Sequence, residues 1–91
     1  MFSYQATFSD GTVKTIAKST REYSAAWQIK IKIPGQSTRT RNGFARTRDL
    51  AAKAMMSESA IDRTGLYKRK KLHEPGEIVS SEIVAIQVTP L

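Results

Sequence analysis

From Lys30 through Arg48 the chain carries six basic residues with no acid among them: Lys30, Lys32, Arg39, Arg41, Arg46 and Arg48. A second cluster, Lys68, Arg69, Lys70 and Lys71, follows Tyr67. Both types neutralise phosphates, and arginine adds the bidentate hydrogen bonding that lysine lacks. A positive field of this kind favours nucleic acid, a ribonucleoprotein or an acidic protein surface as partner. The plainer alternative is a solvated sheet face whose charges discourage edge-to-edge pairing. Six like charges without an interspersed acid exceed what that task needs. Among the aromatics, Tyr67 beside the basic run is the candidate for stacking on a base. Trp27, Tyr4 and Phe44 have apolar neighbours at regular spacing and are read as core.

Catalytic chemistry has little to stand on. His73 is the only histidine, set between Leu72, Glu74 and Pro75 with no local acid or nucleophile, and reads as a solvated loop residue. The eight acids show no D-x-D or E-x-x-H spacing, and the five glycines are isolated turn residues rather than a phosphate-binding loop. There is no cysteine, so neither a disulfide framework nor a cysteine metal site is available. A non-enzymatic protein without metal or cofactor is expected. Spacing does not speak to a carboxylate pair assembled by the fold.

The elements that must position these cations begin with Trp27, Ile29, Ile31 and Ile33, which alternate with Gln28, Lys30 and Lys32 as in a half-buried strand. Pro34-Gly35 breaks the run, and Ser37 to Arg41 alternates again. With an even loop, of two or four residues, Lys30, Lys32, Arg39 and Arg41 share one face and the Trp/Ile row lies on the other. A three-residue loop puts Arg39 and Arg41 behind the isoleucines, which is costly for charges without partners. The even loop is therefore expected. Four residues are preferred, because Pro-Gly suits a type II turn better than the primed turns of two-residue hairpins.

Around this hairpin the rest of the chain falls into place. Phe2 to Phe8 and Thr12 to Ala17 read as strands joined at Asp10-Gly11. Ser19-x-x-Glu22 is a capping-box signature, so a short helix over about 20–26 is expected, the alternative being a continuous extended segment. Thr47 caps the main helix, about 47–58, with Asp49 in its first turn and Leu50, Ala51, Ala54 and Met55 at helical spacing. Gly65 can terminate a further turn, Leu66 to Gly76 reads as an exposed loop, and Val84, Ile86 and Val88 alternate in a last strand stopped by Pro90. The fold class is α+β: an antiparallel sheet of four to five strands, the main helix packed on one face and the other face solvated and cationic.

Ninety-one residues make one domain, 1–91, and 40% hydrophobic with 25% charged residues is the balance of a folded chain. The net charge is +7. No basic-then-apolar leader opens the sequence, and no apolar run approaches the ~20 residues of a membrane helix. A cytoplasmic monomer with no membrane partner is expected.

Two resemblances add to this. The segment Trp27-Gln-Ile-Lys-Ile, Gly35, Gly43-Phe44, Leu50-Ala51 and Ala54 resembles the arm-type DNA-binding domain of tyrosine integrases, a three-stranded sheet with a helix. That resemblance implies a sheet entering the major groove, with Lys30, Lys32, Arg39 and Arg41 at the DNA. The N-terminal hairpin and C-terminal strand depart from that pattern. The hairpin around Asp10-Gly11, the Tyr23 to Trp27 segment and the Gly43-Phe44 to Ala51 stretch look like small accessory proteins of phages and mobile elements. Some of those are anti-CRISPR inhibitors that engage a surveillance ribonucleoprotein. This second resemblance implies a binding protein in the host cytoplasm that blocks target access by occlusion.

Overall fold

The computed structural model describes residues 1–91. The chain is α+β, with strands β1 (Phe2–Thr7), β2 (Val13–Ser19), β3 (Ala25–Lys32) and β4 (Arg39–Ala45), then helices α1 (Arg48–Glu58) and α2 (Ala60–Thr64). Strands β5 (Leu66–Tyr67), β6 (Lys70–Lys71), β7 (Glu77–Ala85) and β8 (Gln87–Pro90) complete it. The expected single sheet is replaced by three small antiparallel ones, ordered β2-β1-β8, β4-β3-β7 and β5-β6. The reason lies in β3. Both its edges are taken, by β4 and β7, so the N-terminal hairpin cannot join it. The hairpin finds its third strand at the chain's end instead, where the run from Glu77 leaves β3 and pairs with β1 after Ile86.

Helix α1 crosses one face of the β4-β3-β7 sheet. Trp27, Ile29, Ile31 and Ile33 form the core there with Ala25, Ala45 and Ala51, and Ala54, Met55 and Ile83 close over them. Burying each large side chain contributes about 1.5–3 kcal/mol. Thr47 caps α1 as its sequence position suggests, its Oγ1 accepting from the Leu50 N–H at 3.1 Å. Leu50 itself remains 45% exposed, so the inward face is carried by the alanines and Met55. Gly65 ends α2 at φ +74°, the left-handed cap that glycine takes most readily.

The sheet's second face is not left to solvent. Ala6 and Phe8 of the N-terminal hairpin pack with Ala26, Phe44, Val84 and Ile86, a smaller core on the side opposite Trp27.

No short helix forms over 20–26. The Tyr4 hydroxyl donates to the Arg21 carbonyl at 2.6 Å and accepts from the Tyr23 N–H at 3.2 Å, and the Ser24 N–H bonds the Ala45 carbonyl at 3.0 Å. These tertiary partners hold the segment extended, and Ser19 Oγ makes only a local turn with the Arg21 N–H. Residues 66–76 also differ from the expected plain loop: they contain the β5-β6 hairpin.

Candidate nucleic-acid interface

The hairpin between β3 and β4 decides where the central cations point. The turn is the expected type: Gln36 N–H bonds the Ile33 carbonyl at 3.0 Å, with Gly35 at φ +76°. Continued directly, that turn would set Lys30 opposite Arg39. The register instead pairs Ile31 with Arg39 and Ile29 with Arg41, so one extra residue has entered between turn and strand. The slip moves Arg39 and Arg41 to the isoleucine side.

Their partner is Asp62 of α2. Its carboxylate, 1% exposed, accepts from Arg39 Nη1 and from Arg41 Nε, each at 3.0 Å. Arg39 and Arg41 stand opposite Ile31 and Ile29 in the register, while their side chains remain 41% and 49% exposed. Burial by itself would raise the Asp62 carboxyl, yet hydrogen bonds and charge from Arg41 and Arg39 hold it below the usual carboxylate range. The Asp62 hydrogen bond and charge in turn raise Arg41. Arg39 also donates to Gln36 Oε1 at 2.9 Å, whereas the terminal nitrogens of Arg41 have no protein acceptor. Asp62 is a residue that sequence reasoning passed over, because it lies more than twenty positions from either arginine.

Lys30 and Lys32 lie on the opposite face, so the expected four-cation surface does not exist. Lys30 is paired with Asp10 at 2.6 Å, and that bond, with donors from Thr12, holds Asp10 well below the usual carboxylate range. Beside it, buried Gln28 accepts from Asn42 Nδ2, whose own Oδ1 accepts from Lys14. Asp10, in the turn of the N-terminal hairpin, thus neutralises Lys30. Lys32 is exposed and donates to the Gln36 carbonyl.

Unpaired cations gather elsewhere. A cleft of about 510 Å³ is lined by Thr20, Arg21, Glu22, Tyr23 and Arg46. An adjoining groove adds Lys18 beside Arg21 and Tyr23. Tyr23 is half-buried, packed edge-on to Tyr4 at 5.3 Å and tilted to Phe44 at 5.9 Å, which fixes the aromatic part of the lining. Arg46 is placed by the β4–α1 connection, where its carbonyl accepts from Ser24 Oγ at 2.6 Å. Arg48 turns away to the Ile83 carbonyl at 3.4 Å. Lys18 and Arg21 were not among the sequence candidates. Their signal was present only as basic residues three apart at the end of a strand.

The second basic cluster is split in the same manner. Lys71 is paired with Glu74, Lys68 lies 5.4 Å from the Tyr67 ring centroid, and Arg69 and Lys70 make no ion pair. Tyr67 is 48% exposed, as a stacking role would need. His73 departs from the solvated loop histidine: Nδ1 lies 2.6 Å from the Glu74 carbonyl and Nε2 is enclosed without a partner. No group of three or more acidic or histidine side chains converges, and no helix is long and apolar enough to cross a membrane.

Of the fifteen lysines and arginines, four are in ion pairs, which leaves eleven without a carboxylate. Comparison of the chain with protein-family models, with curated proteins and with solved structures returns no match.

Proposed function

We propose that this protein is a non-enzymatic binding module that docks on the phosphate backbone of nucleic acid. In the manner implied by its resemblance to phage accessory proteins of the anti-CRISPR kind, its target is the nucleic-acid surface of a host defence ribonucleoprotein. It acts there by occlusion of target DNA. The observation that carries the nucleic-acid reading is the cleft lined by Arg21, Tyr23 and Arg46, with Lys18 on the adjoining groove. Three cations without carboxylate partners, on two adjoining depressions that share Tyr23, suit phosphates spaced along a strand. Glu22, on the same wall, disfavours a small free anion sitting at the centre and favours an extended polyanion that meets the rim.

A DNA-binding regulator or recombination accessory factor is the second reading. The three-stranded β4-β3-β7 sheet crossed by α1 favours it. Against it, the sheet face that bears Lys30 is partly covered by the N-terminal hairpin, and Lys30 is held by Asp10.

The test is fluorescence anisotropy with labelled duplex DNA and single-stranded RNA across a salt series. Binding to free strands is expected to be weak and salt-steep, with a slope near 0.9 per duplex phosphate neutralised. Replacing Lys18, Arg21 and Arg46 by glutamine should lower that slope by about three. An occluding inhibitor should hold an assembled RNA-guided surveillance ribonucleoprotein far more tightly than free strands. A regulator should show the reverse. Absence of binding to either strand at low salt would overturn the nucleic-acid reading.

A further inference from the structure

The β5-β6 hairpin turns on a pair of residues that the local backbone does not want. Tyr67 pairs with Lys70, so Lys68 and Arg69 alone form the loop, at φ +48° and +66°. Two successive left-handed residues define a type I′ turn, for which Asn-Gly or Gly-Gly are strongly preferred because a Cβ clashes there. Elsewhere this chain follows that preference without exception: its other positive-φ residues are Gly11, Gly35 and Gly65. Lys68 and Arg69 are the two departures.

Nothing inside the protein repays the departure. Arg69 and Lys70 have no ion pair, and the contact of Lys68 with the Tyr67 ring is a surface one. The hairpin is nevertheless firmly based. The Leu72 N–H bonds the Gly65 carbonyl at 2.7 Å, and Gly65 is buried at the left-handed end of α2. Its tip is therefore a cationic point held at a defined place, in contrast to a loose basic tail. Local rules broken at an exposed, rigidly mounted position are expected where a ligand uses the side chains.

We infer that the Lys68–Lys70 tip is a second phosphate-backbone contact, separate from the Arg21/Arg46 cleft, in which Lys68, Arg69 and Lys70 engage successive phosphates and exposed Tyr67 stacks on an adjacent base or sugar. This rests on the nucleic-acid reading and names a second point of contact for it. The ligand chemistry is the phosphodiester chain, and the duplex DNA and single-stranded RNA probes distinguish its sources.

The deciding variant is Lys68→Asn/Arg69→Gly, which installs the preferred turn pair while deleting two charges. It should melt at or above the wild-type temperature. Its salt slope on duplex DNA should fall by about two, and its affinity at 0.1 M salt by about 60-fold. Lys53→Gln, one exposed charge removed from α1, is the control and should leave the slope unchanged. If the turn variant binds like wild type or like the control, the tip is no contact and the cleft reading stands. If wild type binds neither probe, both fall together. A turn variant that melts well below wild type would show that Lys68 and Arg69 are there for stability, and would overturn the inference on its own.

Discussion

Removing both arginines from Asp62 should cost more than the two single removals combined. Asp62 is 1% exposed and receives one hydrogen bond from each guanidinium, at 3.0 Å in both cases. Arg39→Ala leaves Arg41 in place, and the converse holds. Each single change forfeits one charge-assisted bond, nominally 1.5–3 kcal/mol but reduced to about 1 kcal/mol because the arginine heads are half in water. The double change strands a buried carboxylate without a cation, which costs about 3–5 kcal/mol. The coupling should therefore be at least about 1 kcal/mol, well beyond the ~0.3–0.5 kcal/mol error of additivity. In melting temperature each single variant should lose roughly 4–8 °C and the double at least about 12 °C. Urea denaturation followed by the buried Trp27 and by circular dichroism measures it. Adding Asp62→Ala to the double variant should restore part of the loss, since the uncompensated charge is gone. Additive single effects, or no recovery in the triple variant, would refute a shared buried acceptor and with it the register that sets both arginines on the isoleucine side.

Two further outcomes follow from the same packing. A Cβ at Gly43 would lie 2.9 Å from Trp27 Nε1 and 3.0 Å from its ring carbons, so Gly43→Ala should displace the indole. The expected loss is about 1–3 kcal/mol, with a red shift in tryptophan emission that an undisturbed indole would not show. Asp62 and Asp10 both titrate below their unfolded values in the folded protein, so the unfolded chain binds more protons in acid. The stability they contribute is complete above the unfolded value of about 3.9 and is lost as pH falls through the lower folded values. Urea midpoints taken from pH 7 down to pH 2 should fall in the acid range, and Asp62→Asn should flatten that fall. An unchanged acid slope in Asp62→Asn would contradict the ion-paired carboxylate.

What could be read in the chain was local. Thr47 and Asp49 mark the start of α1, Asp10-Gly11 marks a turn and Gly65 a helix end, each through its own backbone chemistry. The Trp27–Ile33 row declares a buried strand face by alternation alone. What could not be read was set by partners far away in sequence. Placing Arg39 and Arg41 on the isoleucine side is costly for unpaired charges, and Asp62 supplies the pair. The capping box at Ser19 and Glu22 is a genuine local signal that loses to the Tyr4 hydroxyl. The candidate site suffered most. Six cations close in sequence were dispersed over two faces and a helix start, while Arg21, just past the end of β2, meets Arg46 in the cleft and Lys18 lines the groove beside it.

The run from Glu77 to Pro90 completes two sheets at once, and this has a consequence for how the protein is made. Before that run is present, β1 has only β2 and β3 has only β4, so each would-be central strand offers an open edge. The pairings that close them join residues far apart in sequence, the arrangement that folds slowly because loop closure precedes its reward. A nascent chain paused upstream of Glu77 would hold two unsatisfied edges, each a template for another chain. Closure of both edges thereby waits on the residues from Glu77 onward, the last part of the chain to be made.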